Sequence, residues 1–166
     1  MFELELQRFE KDFDLALPEE YRKFLIKHTA EVRFRYDHRQ PSQSADSALV
    51  WELYPLVPGT PKSQHLAKET EVKRAGKAPL FRIMRLFNVF AREHNLIPGV
   101  SQVGGEDIPF DRIDNVFAIG QVNGDCFYLD PADNWSAWLY YHDGGDVKRI
   151  ASSFSNWIAQ AVGENG

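Results

Sequence analysis

The sequence of 166 residues contains a single cysteine, Cys126, and only two methionines. One cysteine permits no internal disulfide and no zinc site built from several cysteines, so we expect a reducing compartment. The charged amino terminus has no apolar run of signal-peptide length, and no stretch of the sequence approaches a membrane span. We therefore expect a cytoplasmic protein that does not contact a membrane.

Basic residues are the minority among the charged ones. The chain has 19 lysine and arginine residues against 24 aspartate and glutamate residues, which gives a formal net charge of −5. Direct binding to nucleic acid usually requires a basic face that displaces counterions, so this composition argues against it. The same acidic balance is compatible with a basic protein partner.

The common metal and cofactor motifs are also missing. The five histidines are scattered and form no HxH or HExxH pair, and the glycines lack the spacing of a phosphate-binding loop. The sequence therefore predicts no cofactor and no zinc site.

The segment QVNGDCFYLDPAD, residues 121–133, is the main candidate for chemistry. A cysteine hydrolase would use Cys126 as nucleophile, His142 as base and an aspartate that orients the imidazole. However, an activated thiolate usually lies at a helix amino terminus or beside a cation, whereas Cys126 lies inside a predicted strand. Free cysteines are commonly buried, which favours an inert thiol in the core.

Five aspartates in and after this segment raise a second alternative, a calcium site at one end of the predicted strands. All five fall in or beside predicted turns, where aspartate is favoured because it accepts backbone hydrogen bonds. The turn interpretation is therefore the better one for Asp125, Asp130, Asp133, Asp143 and Asp146.

Hydrophobic periodicity predicts the secondary structure. Helices are expected at residues 2–12, 18–28, 79–96 and 152–162. Strands are expected at residues 31–38, 48–58, 116–122, 125–130 and 137–143. We predict an irregular segment at 99–115, a short strand or linker at 146–151, a loop at 39–47, and either an exposed helix or a loop at 61–76.

Asn123–Gly124 predicts a tight hairpin, and strands joined by tight turns cannot be parallel neighbours. In the returning strand, Phe127 and Leu129 are expected to face the core, and Tyr128 to point the other way. The predicted fold is α+β: a mostly antiparallel sheet with helices packed on it, forming a single domain over residues 1–166.

Three blocks of the sequence resemble the SUKH superfamily in its Smi/Knr-like branch. They are LPEEYRKFLIKH (17–28), AIGQVNGDCFYLD (118–130) and WLYYHDGGDVKRIASSFSNWI (138–158). The residues that carry the resemblance are Leu17, Pro18, Tyr21, Phe24, Leu25, Ile119, Gly120, Gly124, Asp125, Leu129, Asp130, His142, Asp143, Ser153 and Phe154. One departure is HTAEV after the first block, where the family often has an Asn-Gly-Gly-like turn.

The resemblance implies an α+β fold and a non-enzymatic role in binding another protein. Bacterial members of this family are typically immunity proteins that neutralise a cognate toxin domain, often a nuclease, and fungal relatives are regulators of cell-wall signalling. The expected partner is thus a cognate protein toxin or another protein. A regulatory or scaffolding role and the cysteine hydrolase remain as alternatives.

Residues near the turns of the carboxyl-terminal third are the predicted contacts with a partner. Trp135, Tyr140 and His142 are candidate anchors, because aromatic side chains dominate binding hot spots. Asp130, Asp133 and Asp143 are candidate sources of charge. The competing interpretation is that these rings belong to the core and that the aspartates form turns.

Overall fold

The computed structural model describes residues 2–29, 32–36, 49–56, 66, 86–122, 124–160 and 162–163. The helices in these ranges are α1 (Phe2–Phe13), α2 (Glu19–Lys27), α3 (Leu86–Glu93), α4 (Phe110–Asp114) and α5 (Phe154–Ile158). The strands are β1 (Val32–Tyr36), β2 (Leu49–Leu53), β3 (Gly99–Val100), β4 (Ile108–Pro109), β5 (Phe117–Val122), β6 (Asp125–Asp130), β7 (Ser136–Tyr141), β8 (Asp146–Ala151) and β9 (Val162–Gly163).

Seven strands form one sheet in the order β8-β7-β6-β5-β2-β1-β9, and each neighbouring pair is antiparallel. β3 and β4 form a separate antiparallel hairpin. An isolated parallel bridge joins Gln102 to Val147. The predicted α+β fold, a mostly antiparallel sheet with packed helices, is therefore confirmed.

One face of the large sheet, here called the first face, is covered by α1, α2 and α5. The residues of its core include Leu6, Phe9, Leu17, Tyr21, Leu25, Phe127, Leu129, Leu139, Phe154 and Trp157. Phe154 is the centre of a ring cluster, with centroid distances of 4.8 Å to Tyr21, 4.9 Å to Phe24 and 5.8 Å to Trp157. Rings at such distances stabilise each other beyond the area that they bury.

Helix α2 shows why the sequence folds this way locally. Tyr21 and Leu25 are one turn apart and both are buried. Glu19 and Glu20 lie in the first turn and Lys27 in the last, which complements the helix dipole. Pro18 precedes the helix as its amino-terminal cap and is not its first helical residue.

The opposite, second face of the sheet is buried as well. Its core contains Val100, Ile108, Ile113, Cys126, Tyr128, Trp138, Tyr140 and Val147. Tyr128 does point away from Phe127 and Leu129, as predicted, but it is only 1% exposed. Burial raises the pKa of Tyr128 well above its usual value, and Asp130 raises it further.

The cover of the second face corrects the prediction that residues 99–115 are irregular. This segment forms the β3–β4 hairpin and then α4. It also shields the outer edge of β8, because Val147 donates to the Ser101 carbonyl at 2.8 Å and accepts from the Val103 amide at 2.8 Å. Strands of two residues are too short to show an alternating pattern in the sequence.

Helix α3 ends at Glu93 and does not continue to residue 96 as predicted. Asn95 has φ 52°, and the Leu96 amide donates to the Ala91 carbonyl at 2.7 Å. The Asn95 amide donates to the Arg92 carbonyl at 3.1 Å, which completes a Schellman cap. The first part of the predicted helix, 79–85, lies outside the described residues, as do the loop predicted at 39–47 and nearly all of 61–76.

Residues 146–151, for which either a short strand or a linker was predicted, form a strand. Strand β2 ends at Leu53, whereas the predicted strand extended to residue 58. Strand β7 ends at Tyr141, so His142 and Asp143 lie in the following turn. Helix α5 ends at Ile158, and the predicted continuation to 162 is wrong because Val162–Gly163 pairs with β1.

Candidate functional site

The structure separates the predicted contact residues into two groups at opposite ends of the β6–β7 hairpin. His142 and Asp143 lie beside Asp125, where β6 begins and β7 ends. Asp130, Asp133 and Trp135 lie at the other end, in and around a single 3-10 turn. Six strand residues at ~3.4 Å each place the two groups about 20 Å apart. They cannot form one compact pocket.

At the first end, Asp125 holds His142 in place. One oxygen of Asp125 accepts from the backbone amide of His142 at 2.9 Å and lies 2.7 Å from ring atom Nδ1. The other ring nitrogen, Nε2, lies 3.1 Å from Asp143 Oδ1. The imidazole is thus fixed between two carboxylates, and the side chain of Asp143 is 72% exposed.

Gly124 explains how the ring fits at this turn. Its φ is +93°, and a Cβ atom added there would lie 3.0–3.2 Å from the ring atoms of His142. A side chain would therefore both strain the backbone and displace the imidazole. The Gly-Asp pair of the family-like motif has a structural role here: it supports the histidine.

At the second end, Asp130 is structural. It is 2% exposed, and its Oδ2 lies 2.6 Å from Arg112 Nη2 and 2.7 Å from Nε. Its Oδ1 accepts from the amide of Ala132 at 2.9 Å and caps the 3-10 turn. Because Arg112 lies on α4 and Asp130 on β6, this ion pair joins α4 to the sheet. The Arg112 guanidinium also lies 5.4 Å from the centre of the Trp138 ring. This burial removes Asp130 from the predicted contact surface.

The carboxylate of Asp133 accepts hydrogen bonds from two side chains. Its Oδ2 accepts from Ser136 Oγ at 2.5 Å and from Arg149 Nε at 2.6 Å. Burial opposes ionisation, but the hydrogen bonds from Ser136 and Arg149 and the charge of Arg149 outweigh it, so the pKa of Asp133 is lowered. The side chain of Asp133 remains one-third exposed.

The two aromatic candidates differ in position. Trp135 is half-buried, has φ 58°, and meets Phe117 edge-on with a centroid distance of 6.3 Å. Tyr140 is 1% exposed in the second-face core. The prediction that Tyr140 is a surface anchor is therefore corrected, because its strand alternation points it at a face that the β3–α4 segment covers.

Cys126 also belongs to the second-face core and is 1% exposed. Its Sγ donates to the Phe127 carbonyl at 3.3 Å. A thiol buried among apolar side chains is a poor nucleophile, so this position does not favour a cysteine hydrolase. Within the described ranges, no group of three or more histidine, cysteine, aspartate or glutamate side chains could hold a metal ion.

The sequence did not predict a groove of about 610 Å³ that is lined by the end of α3, the segment after it and the start of α4. Its lining residues are Arg92, Asn95, Leu96, Ile97, Pro98 and Phe110. We call it the α3–α4 groove. The one signal in the sequence was the helix terminator at Asn95 and Pro98–Gly99, which marks where the chain leaves the helix.

Comparison with known families decides the class of protein. The model of the SMI1 / KNR4 family (SUKH-1) matches residues 3–160. The chain belongs to this family. The match runs from α1 to the residues just after α5, so it includes both faces of the sheet.

Membership of the SMI1 / KNR4 family supports an immunity or regulatory role that is exercised through interaction with another protein. No curated protein and no solved structure shows significant similarity to the chain. In the part of the chain that the structure describes, no helix has the length and apolar character that crossing a membrane requires.

Proposed function

We propose that this protein is an immunity protein that binds and neutralises a cognate toxin domain of the nuclease type by occluding it. The observation that carries the proposal is the match to the SMI1 / KNR4 family over residues 3–160. In this proposal the whole chain acts in the cytoplasm as one domain, has no catalytic activity and makes no direct contact with nucleic acid.

The charge of the chain supports this mechanism. A nuclease presents a basic cleft to its substrate, and the net charge of −5 favours association with such a surface. An acidic protein in that cleft excludes the nucleic acid without any chemical step. Long-range attraction of this kind weakens with salt, which makes it measurable.

The contact residues that we propose are those of the predicted set whose side chains reach the surface: Asp133, Trp135, His142 and Asp143. Asp143 is the most accessible charge among them. Asp130 supports the turn that carries Asp133 from inside, because it caps that turn. The approximate 20 Å between the two ends fits within a protein interface of standard size, about 800 Å² on each partner.

The accessibility of the Cys126 thiol distinguishes the proposal from a cysteine hydrolase. Because Cys126 is 1% exposed, a mild alkylating reagent should leave it unmodified in the folded protein and modify it in urea. Mass spectrometry reads both states. Rapid alkylation of the folded protein would instead support the hydrolase alternative, since it requires an accessible thiolate.

The partner is tested by capture from the native cell lysate with the tagged protein, first at low and then at moderate salt. We expect one basic polypeptide with nuclease activity, bound less tightly at the higher salt, and inhibited when one equivalent of the protein is added back. Capture of signalling or wall-synthesis proteins would support the regulatory alternative. Capture of no specific partner would contradict both binding roles.

A matched pair of variants tests the contact residues. Asp143→Asn and Glu19→Gln each remove one negative charge, and the two side chains are 72% and 71% exposed. We expect Asp143→Asn to weaken binding of the captured partner several-fold and Glu19→Gln, on α2, to leave it unchanged. Equal effects would contradict the assignment of Asp143.

A further inference from the structure

We propose that the α3–α4 groove is a docking site for a segment of the protein partner that carries apolar side chains between lysine or arginine residues. The proposal rests on the partner-binding function above and adds a surface on the second face of the molecule. Three observations carry it: the side chains of Arg92 and Phe110 are held in place, Leu96 of the lining is exposed, and the segment that forms the groove has a surplus of acidic residues.

The side chains of Arg92 and Phe110 are held in place by charge and by ring contact. Arg92 forms a two-point ion pair with Asp114, with distances of 3.0 Å and 2.7 Å to its two oxygens. The same guanidinium lies 5.1 Å from the centre of the Phe110 ring. Arginine and aromatic side chains that are already ordered lose little entropy on binding, which is why hot spots favour them.

Two large apolar side chains in or near the groove are open to solvent. Leu96 of the lining is 61% exposed, and Phe90, which is in the last turn of α3 and outside the lining, is 52% exposed. In a Schellman cap the residue in the position of Leu96 usually packs back on the last helical turn, whereas this leucine projects outward. Single exposed hydrophobic side chains are common, but two large ones in the last turn and cap of one helix beside a groove indicate a binding surface.

The charge around the groove decides which segment fits. Residues 90–116 contain five acidic and two basic residues, a formal charge of −3 within a total of −5. Both arginines are bound to aspartates, Arg92 to Asp114 and Arg112 to Asp130. The exposed acidic residues of this segment are Glu93, Glu106, Asp107 and Asp111.

Glu93 and Asp111 are exposed carboxylates on α3 and α4, the helices that contribute Arg92 and Phe110 to the lining of the groove. Lysine or arginine side chains of a partner would meet these carboxylates while its apolar side chains contact Leu96 and Phe90. An acidic segment would be repelled, and a purely charged one would leave Leu96 and Phe90 in water.

The test is a titration of the isotope-labelled protein, followed by NMR, with a short amphipathic peptide of leucine and lysine. A peptide of leucine and glutamate with the same pattern is the peptide control. We expect saturable shifts that centre on residues 90–98 and 110–114 with the first peptide and no binding of the second. Leu96→Ser should weaken binding about tenfold, which corresponds to about 1.4 kcal/mol.

Leu4→Ser is the matched control variant, since Leu4 on α1 is 70% exposed and the change is the same. It should bind the peptide like the wild type. Shifts elsewhere, or equal affinities of both variants, would overturn the groove as a docking site. Because the titration uses no toxin, its failure is distinct from a failure to capture a nuclease partner.

Discussion

The two faces of the sheet are built differently. The first face is closed by three helices over a core of interlocking rings, with Tyr21, Phe154 and Trp157 each at most 1% exposed. The second face is covered by a short hairpin and a helix of five residues. Phe90 in the last turn of α3 and Leu96 just after this helix are exposed to solvent.

The three family-like blocks contribute residues to both faces of the sheet. The residues that carry the resemblance and lie in the first-face core are Leu17, Tyr21, Leu25, Ile119, Leu129 and Phe154. Other residues of the same blocks lie in the second-face core, among them Cys126, Tyr128, Trp138, Tyr140 and Val147. The α3–α4 groove is built from residues 92–110, between the blocks. The motif blocks therefore contribute to both cores of the sheet, while the segment between the blocks supplies the lining of the groove.

The largest effect on stability is expected from a substitution in the first-face core. Phe154→Ala removes a buried ring that contacts Tyr21, Phe24 and Trp157. It should lower the free energy of unfolding by about 3–5 kcal/mol, measured by urea denaturation. The control Leu4→Ala, at an exposed site, should change it by less than about 0.5 kcal/mol. A small effect of Phe154→Ala would contradict the first face as the main source of stability.

An intermediate effect on stability is expected where α4 is joined to the sheet by an ion pair. Asp130→Ala leaves Arg112 without its buried carboxylate and the 3-10 turn without its cap. Loss of hydrogen bonds to a buried charged group should cost about 2 kcal/mol. A double-mutant cycle with Arg112→Met isolates the pair, and additive effects of the two changes would contradict the coupling.

The smallest effect on stability, and one that depends on pH, is expected at Asp133. Its pKa is lowered in the folded state, so its contribution is complete above the unfolded value of about 3.9 and is lost as pH falls through the folded value. The difference between wild type and Asp133→Asn should be constant from pH 5 to 7, at less than about 1 kcal/mol because water screens the pair. Urea denaturation over a pH series measures it, and a difference that grows at low pH would contradict the assignment.

The sequence predicts the fold well where the hydrophobic pattern is long or where turn-forming residues mark the end of an element. The strand at 125–130 has its predicted bounds because Asn123–Gly124 and Pro131 mark both ends. β3, β4 and α4 have too few residues to show a period, so the cover of the second face could not be predicted. Because the sequence does not indicate this cover, it wrongly predicts that Tyr140 is accessible.

The candidate site could be predicted only in part for the same reason. His142 and Asp143 reach the surface, but the approach of Asp125 to the imidazole depends on strand register. Asp130 is an aspartate beside a turn, and its partner Arg112 lies 18 positions away in a helix that the sequence did not indicate. The groove combines three segments and is a property of tertiary structure alone.

The most direct test of the account is the nuclease activity of the captured partner as protein is added. We expect activity to fall to background at one equivalent of the wild type or of Leu4→Ser, and to require a clear excess of the double variant Phe90→Ser/Leu96→Ser. Activity that persists with saturating wild-type protein would contradict neutralisation by occlusion. Equal inhibition by the double variant would show that the second face does not carry the contact.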